Sequence, residues 1–279
     1  MCQICQTVAV TENKVIHRES QSSANTFNQR TLDQDYRTLK SALKPGMRIL
    51  DIGCGTGAIT KDIAAIVGPT GYVVGIDNTA SFITEGNSLF ANIPNLELVH
   101  CDLLDFECIE KFDLIVSART FQWISTLDKA IDKLKTLLKP NGQVSILDYN
   151  HEAIDWNPKI PRSMQHFYHM FLMWRNDAGM NNRIGYDLEE ILEEHGFDQI
   201  EVFNADEHYE RNNPLHLDKI KIWSKVANST QMVEEGYLND QERLDAIQDY
   251  NNWADHEAVS MTMKLREVRA ILTSNISYQ

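Results

Sequence analysis

The stretch MRILDIGCGTG, Met47 to Gly57, decides the fold. Its first half is apolar and branched enough for a buried strand, and its second half sets Gly53, Gly55 and Gly57 where the backbone must turn sharply into a helix. From Ala58 to Val67, Ile59, Ile63 and Ile66 recur at helical spacing. The glycines therefore lie between the carboxyl end of a strand and the amino end of a helix, where an open α/β sheet binds a nucleotide-like ligand.

The loop alone leaves two ligands open. Gly53, Gly55 and Ala58 satisfy the dinucleotide fingerprint, whose last position is Gly or Ala. Asp51 tilts the choice. A carboxylate at the strand tip repels a pyrophosphate but suits the ammonium and sulfonium charges of S-adenosylmethionine, and the loop has no lysine or arginine to serve a phosphate.

The chain has 279 residues, enough for one large domain or a domain with an appended lobe. No stretch approaches the roughly 20 apolar residues that span a bilayer, and Met1 to Ser23 is polar, so a soluble, cytoplasmic protein is expected, with no membrane partner. A net charge of −14 argues against a nucleic-acid backbone as partner. The five cysteines read as free thiols, and the Cys2, Cys5 pair lacks the further ligands of a metal site.

Residues 1–24 are expected to form a mobile tail, with one domain over 25–279. Leu32, Tyr36, Leu39 and Leu43 predict one helix from Thr31 to Leu43, closed by Pro45 and Gly46, lying across the sheet edge near the ligand. A second strand, Tyr72 to Asp77, ends in an acid about 20 residues past the last loop glycine, the spacing at which a carboxylate reaches a ribose diol. A helix over Ala80–Ala91 leads to strand Leu96–Cys101, where Asp102 is placed to accept from an adenine amino group. Strand Phe112–Ser117, helix Asp128–Leu138, a Pro140, Asn141, Gly142 turn and strand Gln143–Tyr149 follow. Five strand–helix alternations give a doubly wound, Rossmann-like parallel sheet.

Together these pieces resemble the class I S-adenosylmethionine-dependent methyltransferases of the bacterial small-molecule type. The likeness rests on LDIGCGTG at Leu50 to Gly57, GID ending at Asp77, HCDLLDF around Asp102, FDLIVSA ending at Ala118, and LKPNGQVSILD at Leu138 to Asp148. It spans about residues 30 to 203. Asn141 stands where the family usually has a glycine, a position Asn fills because it tolerates positive φ. The resemblance implies a seven-stranded sheet with the last strand antiparallel, the sixth at Gln199–Asn204 and the seventh at Ser260–Val268. It also implies helical cap elements at about 152–185 and 214–255, the second as two helices marked by Ile220, Trp223, Ala227 and by Leu244, Ile247, Ala254.

By the same resemblance Gly53, Cys54 and Gly55 approach the methionine part of the cofactor, Asp51 its ammonium and Asp77 its ribose. Asn78 and Phe82 flank the adenine, with Asp102 and Leu103 at its edge, and Ala118 and Arg119 lie next to the sulfonium. Methyl transfer needs orientation and exclusion of water more than a catalytic apparatus. His151 is the candidate general base and Tyr149 a positioning group, both after strand five where a substrate must sit. The stripe Phe167, Phe171, Trp174, with Trp123 from the loop after strand four, is expected to roof an apolar substrate pocket. No metal is expected, because His166 and His169 share a helix face without a third ligand. The reading is a methyltransferase acting on an oxygen, nitrogen or carbon of a small, partly apolar metabolite. A non-catalytic cofactor-binding scaffold or sensor, or a NAD-dependent oxidoreductase, is the alternative. Nothing in the sequence argues for or against a homo-oligomer.

Overall fold

A computed structural model describes residues 28–273; the expected tail over 1–24 and the Cys2, Cys5 pair lie outside them. The glycine loop sits where it was expected. Strand β1 (Arg48–Ile52) runs into it, and α2 (Ala58–Val67) leaves it. Ile49, Leu50 and Ile52 are all buried because β1 is covered on both faces, as in any parallel α/β sheet. Alternation puts Ile49 and Asp51 toward α2, and Leu50 and Ile52 toward the helices of the opposite layer.

Strands β2 (Tyr72–Asp77), β3 (Leu96–His100), β4 (Phe112–Ala118) and β5 (Leu138–Asn157) pair in parallel with β1 in the order β3-β2-β1-β4-β5. The order reverses between β1 and β4, so a crevice opens at their carboxyl ends. Helices α3 (Ala80–Phe90) and α4 (Leu127–Leu137) occupy the expected connections. Asn141 takes φ +59°, as expected of an asparagine in that turn.

Beyond β5 the last strand is antiparallel and begins at Ser260, both as expected, and the sheet departs from expectation only in detail. β8 (Ser260–Ile271) is antiparallel and inserted between β5 and β6 (Asp198–Asn204). A short β7 (Glu207–Glu210) pairs with the first residues of β8, so the described residues form eight strands rather than seven. The cause is a break at Asp206, whose carboxylate accepts from the Leu265 backbone N–H at 3.0 Å and from Lys264 Nζ at 2.8 Å. β5 also runs past Tyr149, and Asp155 to Asn157 pair with Ser260 to Thr262. The first residues assigned to a helical cap are thus sheet.

The expected helix from Thr31 to Leu43 is two pieces, α1 (Leu32–Asp35) and a 3₁₀ turn over Arg37–Ala42. Its four apolar residues are nonetheless buried. Tyr36 breaks the helix because its hydroxyl reaches into the sheet, donating to the Ser145 carbonyl at 2.7 Å and meeting Ser145 Oγ at 2.8 Å. Arg269 of β8 holds the same segment through the Thr38 carbonyl and Ser41 Oγ.

The remaining helices are α5 (Arg162–Asp177), α6 (Ile184–Glu194), α7 (Leu217–Ile220), α8 (Ile222–Ala227), α9 (Gln231–Glu234) and α10 (Asp240–His256). The segment 214–255 therefore holds four helices where two were expected. Leu244 is exposed, and the inward face of α10 is Ala246, Tyr250, Trp253 and Ala254 instead. Cys54 and Cys108 are free thiols, whereas Cys101 is disulfide-bonded, against the expectation that every cysteine is free.

Candidate cofactor and substrate site

The glycine loop is shaped by what packs on it. Gly53 takes φ +70°, and a Cβ there would lie 2.0 Å from Thr120 Oγ1, so the loop after β4 sits directly against the β1 turn. Backbone N–H groups of Gly53 and Cys54 donate to the Ile76 carbonyl at 2.8 and 3.0 Å, which ties the turn to β2. Asp77 completes the tie. Its carboxylate accepts from Gly55 N at 2.9 Å on one oxygen and from Thr79 N at 2.9 Å on the other, which orients both oxygens while leaving lone pairs for a diol.

Asp51 is buried and accepts from Thr60 Oγ1 at 2.7 Å. Burial, with the Asp77 charge adding to it against the Thr60 hydrogen bond, pushes its carboxyl up from 3.8 to about 6. A carboxylate held at such cost is poised for a cation. Burial likewise pushes the Cys54 thiol up, so it stays uncharged.

The adenine-side candidates lie along the tips of β2 and β3. Phe82 is buried in α3, and the Asn78 carbonyl meets His100 Nε2 at 3.2 Å. Asp102 turns back to accept from Leu104 N at 2.9 Å, and the Leu103 side chain packs into the core beside Ile76 and Phe106.

Ala118 ends β4, and Arg119 follows in the left-handed region at φ +61°. Its Nε donates to the Tyr149 hydroxyl at 2.9 Å and its Nη2 pairs with Glu207 of β7. Gln122 then joins four groups. Its backbone N–H donates to Asp148 at 3.0 Å, and its carbonyl accepts from Arg175 Nη2 at 2.7 Å. Its side-chain amide donates to the Arg119 carbonyl at 3.0 Å, and its Oε1 meets His151 Nε2 at 2.6 Å. Arg175 is fully buried, bonded to Asn182 Oδ1 at 2.7 Å and stacked over Trp123 at 4.6 Å.

The Gln122 contacts settle the state of His151. The amide nitrogen of Gln122 is spent on Arg119, so its oxygen faces the imidazole and the proton sits on Nε2. Nδ1 keeps its lone pair, buried and without a partner among the described residues. Burial, reinforced by Arg175, holds the ring well below the usual histidine range, so it is neutral at pH 7.

The aromatic candidates divide. Phe171 lies 5.9 Å from the His151 ring, edge on, whereas Phe167 packs within the core and Trp174 donates its indole N–H to Glu235 at 2.8 Å. The sequence reading used Trp223 only to mark a helix. In the structure it is the centre of the wall, within 4.7 Å of Tyr168, 5.5 Å of Phe171 and 5.9 Å of His151, centroid to centroid. Gln122, Arg175 and Glu207 were missed as well. Only the alternation of Glu207 to Glu210 offered a signal, that of a short strand.

A methyltransferase domain model matches residues 43–222, most of the chain and every strand of the crevice. The chain belongs to the class I S-adenosylmethionine-dependent methyltransferase family. S-Adenosylmethionine is the family's cofactor, and the glycine cradle, the two-oxygen acceptor at Asp77 and the buried Asp51 fit it.

Among curated relatives of this methyltransferase, malonyl-(acyl-carrier protein) O-methyltransferase of Acetivibrio thermocellus is 33% identical over 108 residues, covering 39% of this chain and 38% of that protein. Demethylmenaquinone methyltransferase of Staphylococcus aureus is 26% identical over 178 residues, covering 57% of this chain and 71% of the relative. The first match thus spans well under half of the relative's length. In fold, the chain is similar to phosphoethanolamine N-methyltransferase 2 of Haemonchus contortus in complex with S-adenosyl-L-methionine, with TM-score 0.60, 18% identity, and 92% and 58% of the two chains covered. It is also similar to a methyltransferase from Aquifex aeolicus, with TM-score 0.52, 17% identity, and 90% and 98% covered.

Proposed function

We propose that the protein transfers a methyl group from S-adenosylmethionine to an oxygen, nitrogen or carbon of a small, partly apolar metabolite. The observation that carries this reading is the joining of two half-sites by the loop 119–123, which packs on the Gly53 turn and, through Gln122, on His151. When bound, the cofactor supplies an already activated methyl group, so the protein need only orient the acceptor and exclude water. In this reading Asp51 faces the cofactor ammonium, Asp77 the ribose, and Asn78, Phe82, Asp102 and Leu103 the adenine. Phe171 and Trp223 supply the apolar wall, and Trp123 closes the near side. One apolar core runs from Ile49 through Phe171 to Trp253, which supports a single domain with the cap as part of it. The direct test is incubation with S-adenosylmethionine and a fractionated metabolite pool, read by mass spectrometry. A product heavier by one methylene supports enzymatic transfer, and binding without turnover across every fraction leaves a sensor.

His151 in this reading acts through Nδ1, accepting the acceptor's proton or hydrogen bond. Its low proton affinity makes it a weak base, so its contribution belongs at the lower end of general-base effects. His151→Ala should lower kcat about 100-fold while S-adenosylhomocysteine affinity, read by calorimetry, changes little. Full activity would remove it from this role.

Asp51 gives the site a pH dependence. An acid pushed up to about 6 takes a proton more readily in the folded protein than in the unfolded one, so the free protein loses stability as pH rises through 4 to 6. A cationic ligand prefers the ionised acid, so affinity moves the opposite way. S-Adenosylhomocysteine should bind more tightly as pH rises from 5 to 6, by up to about fivefold, and level off above 7. Titrations in Asp51→Asn should be weaker and lack that slope.

A further inference from the structure

Between β4, β5 and β7 a buried cation has donor capacity that its partners among the described residues do not use. Arg119 is 7% exposed, and with Nε on Tyr149 and Nη2 on Glu207 its Nη1 has no partner among the described residues. A buried guanidinium N–H without an acceptor is costly unless a ligand supplies one. Arg30, half-buried, lies within electrostatic reach of Arg119, Tyr149 and Glu207, and Lys219 stands 3.8 Å from Asp35. The cations Arg30, Arg119 and Lys219 and the anions Asp35 and Glu207 share this corner of a chain whose net charge is −14. The Tyr149 hydroxyl accepts from Arg119 and retains its own proton to donate. Next to this polar corner stands the aromatic wall, since the Tyr149 ring stacks 5.1 Å from His151, which touches Phe171 and Trp223.

We propose that the acceptor site recognises a metabolite bearing a carboxylate on an apolar body. The acid is received by Arg119 Nη1 and the Tyr149 hydroxyl in the field of Arg30, and the body lies against Trp223 and Phe171. Glu207 then tunes the site, holding Arg119 in place while weakening its pull on the acid. This inference rests on the methyltransferase reading for its location, at the carboxyl ends of β4 and β5.

The test is calorimetric titration at pH 7.5 of three matched probes, 3-phenylpropanoate, 3-phenylpropanamide and 3-phenylpropylamine, with and without saturating S-adenosylhomocysteine. The acid should bind at least tenfold more tightly than the amide, and the amine most weakly. Arg119→Gln should bring the acid down to the level of the amide. Glu207→Gln should strengthen acid binding several-fold. General damage to the fold would weaken acid and amide alike in both variants, so the opposite signs separate recognition from structure. Equal binding of acid and amide by the unaltered protein, no binding of the acid at all, or weaker acid binding in Glu207→Gln overturns the proposal. Failure of S-adenosylhomocysteine itself to bind, with the acid still preferred, would instead strike the methyltransferase reading.

Discussion

Asp77→Ala is expected to weaken S-adenosylhomocysteine binding by about 1–3 kcal/mol, roughly 5- to 150-fold in Kd. Two effects add. The ribose diol loses a charged bidentate acceptor, and the glycine loop loses the bond from Gly55 N at 2.9 Å that holds it to β2. Asp77→Asn keeps one acceptor oxygen and should fall between the two. Calorimetry on the three proteins, with their thermal midpoints measured without ligand, separates lost ligand contacts from a loosened loop. Unchanged affinity in Asp77→Ala would remove the carboxylate from the ribose role.

Arg175→Leu should cost about 2–5 kcal/mol of folding stability, the largest effect expected of any single change discussed. The replacement leaves the Gln122 carbonyl and Asn182 Oδ1 buried without this donor, at about 1–3 kcal/mol each. Release of a buried charge offsets part of that. Because Gln122 holds His151 and Arg119 together, turnover should fall further than stability alone explains. Urea unfolding gives the first quantity, and kcat at a temperature where the variant is fully folded gives the second. A variant as stable as the parent protein would mean that water satisfies the abandoned groups.

The first five strands were legible because each is an apolar run of strand length bounded by Gly, Pro or Asn, and Asp77 because its distance from the loop is set by one strand–helix–strand unit. The Tyr36 break was not legible. Apolar residues three and four apart serve an α-helix and a 3₁₀ turn equally, and only the distant Ser145 distinguishes them. The division of the sixth strand at Asp206 depends on Leu265, again a partner far along the chain. The same limit governs the substrate side. Arg119 and Glu207 are 88 residues apart, and Gln122 and Arg175 are 53 apart, so no local pattern announces either pair. His151 was expected in the loop after strand five, whereas it lies within the longer β5, and its neutrality follows from burial that composition does not reveal. The disulfide at Cys101 escaped for a simpler reason, since five scattered cysteines show no spacing that marks a pair.

The position of β8 between β5 and β6 has a consequence for how the chain is made. This strand leaves the ribosome after every other described strand, yet it fills an interior slot of the sheet and, through Arg269, clasps the segment around Thr38 and Ser41. The sheet therefore closes only once β8 has been made. A nascent chain stopped before residue 260 presents two unsealed edges, a ready target for chaperones and proteases, and competence arrives in one late event when that strand slides home.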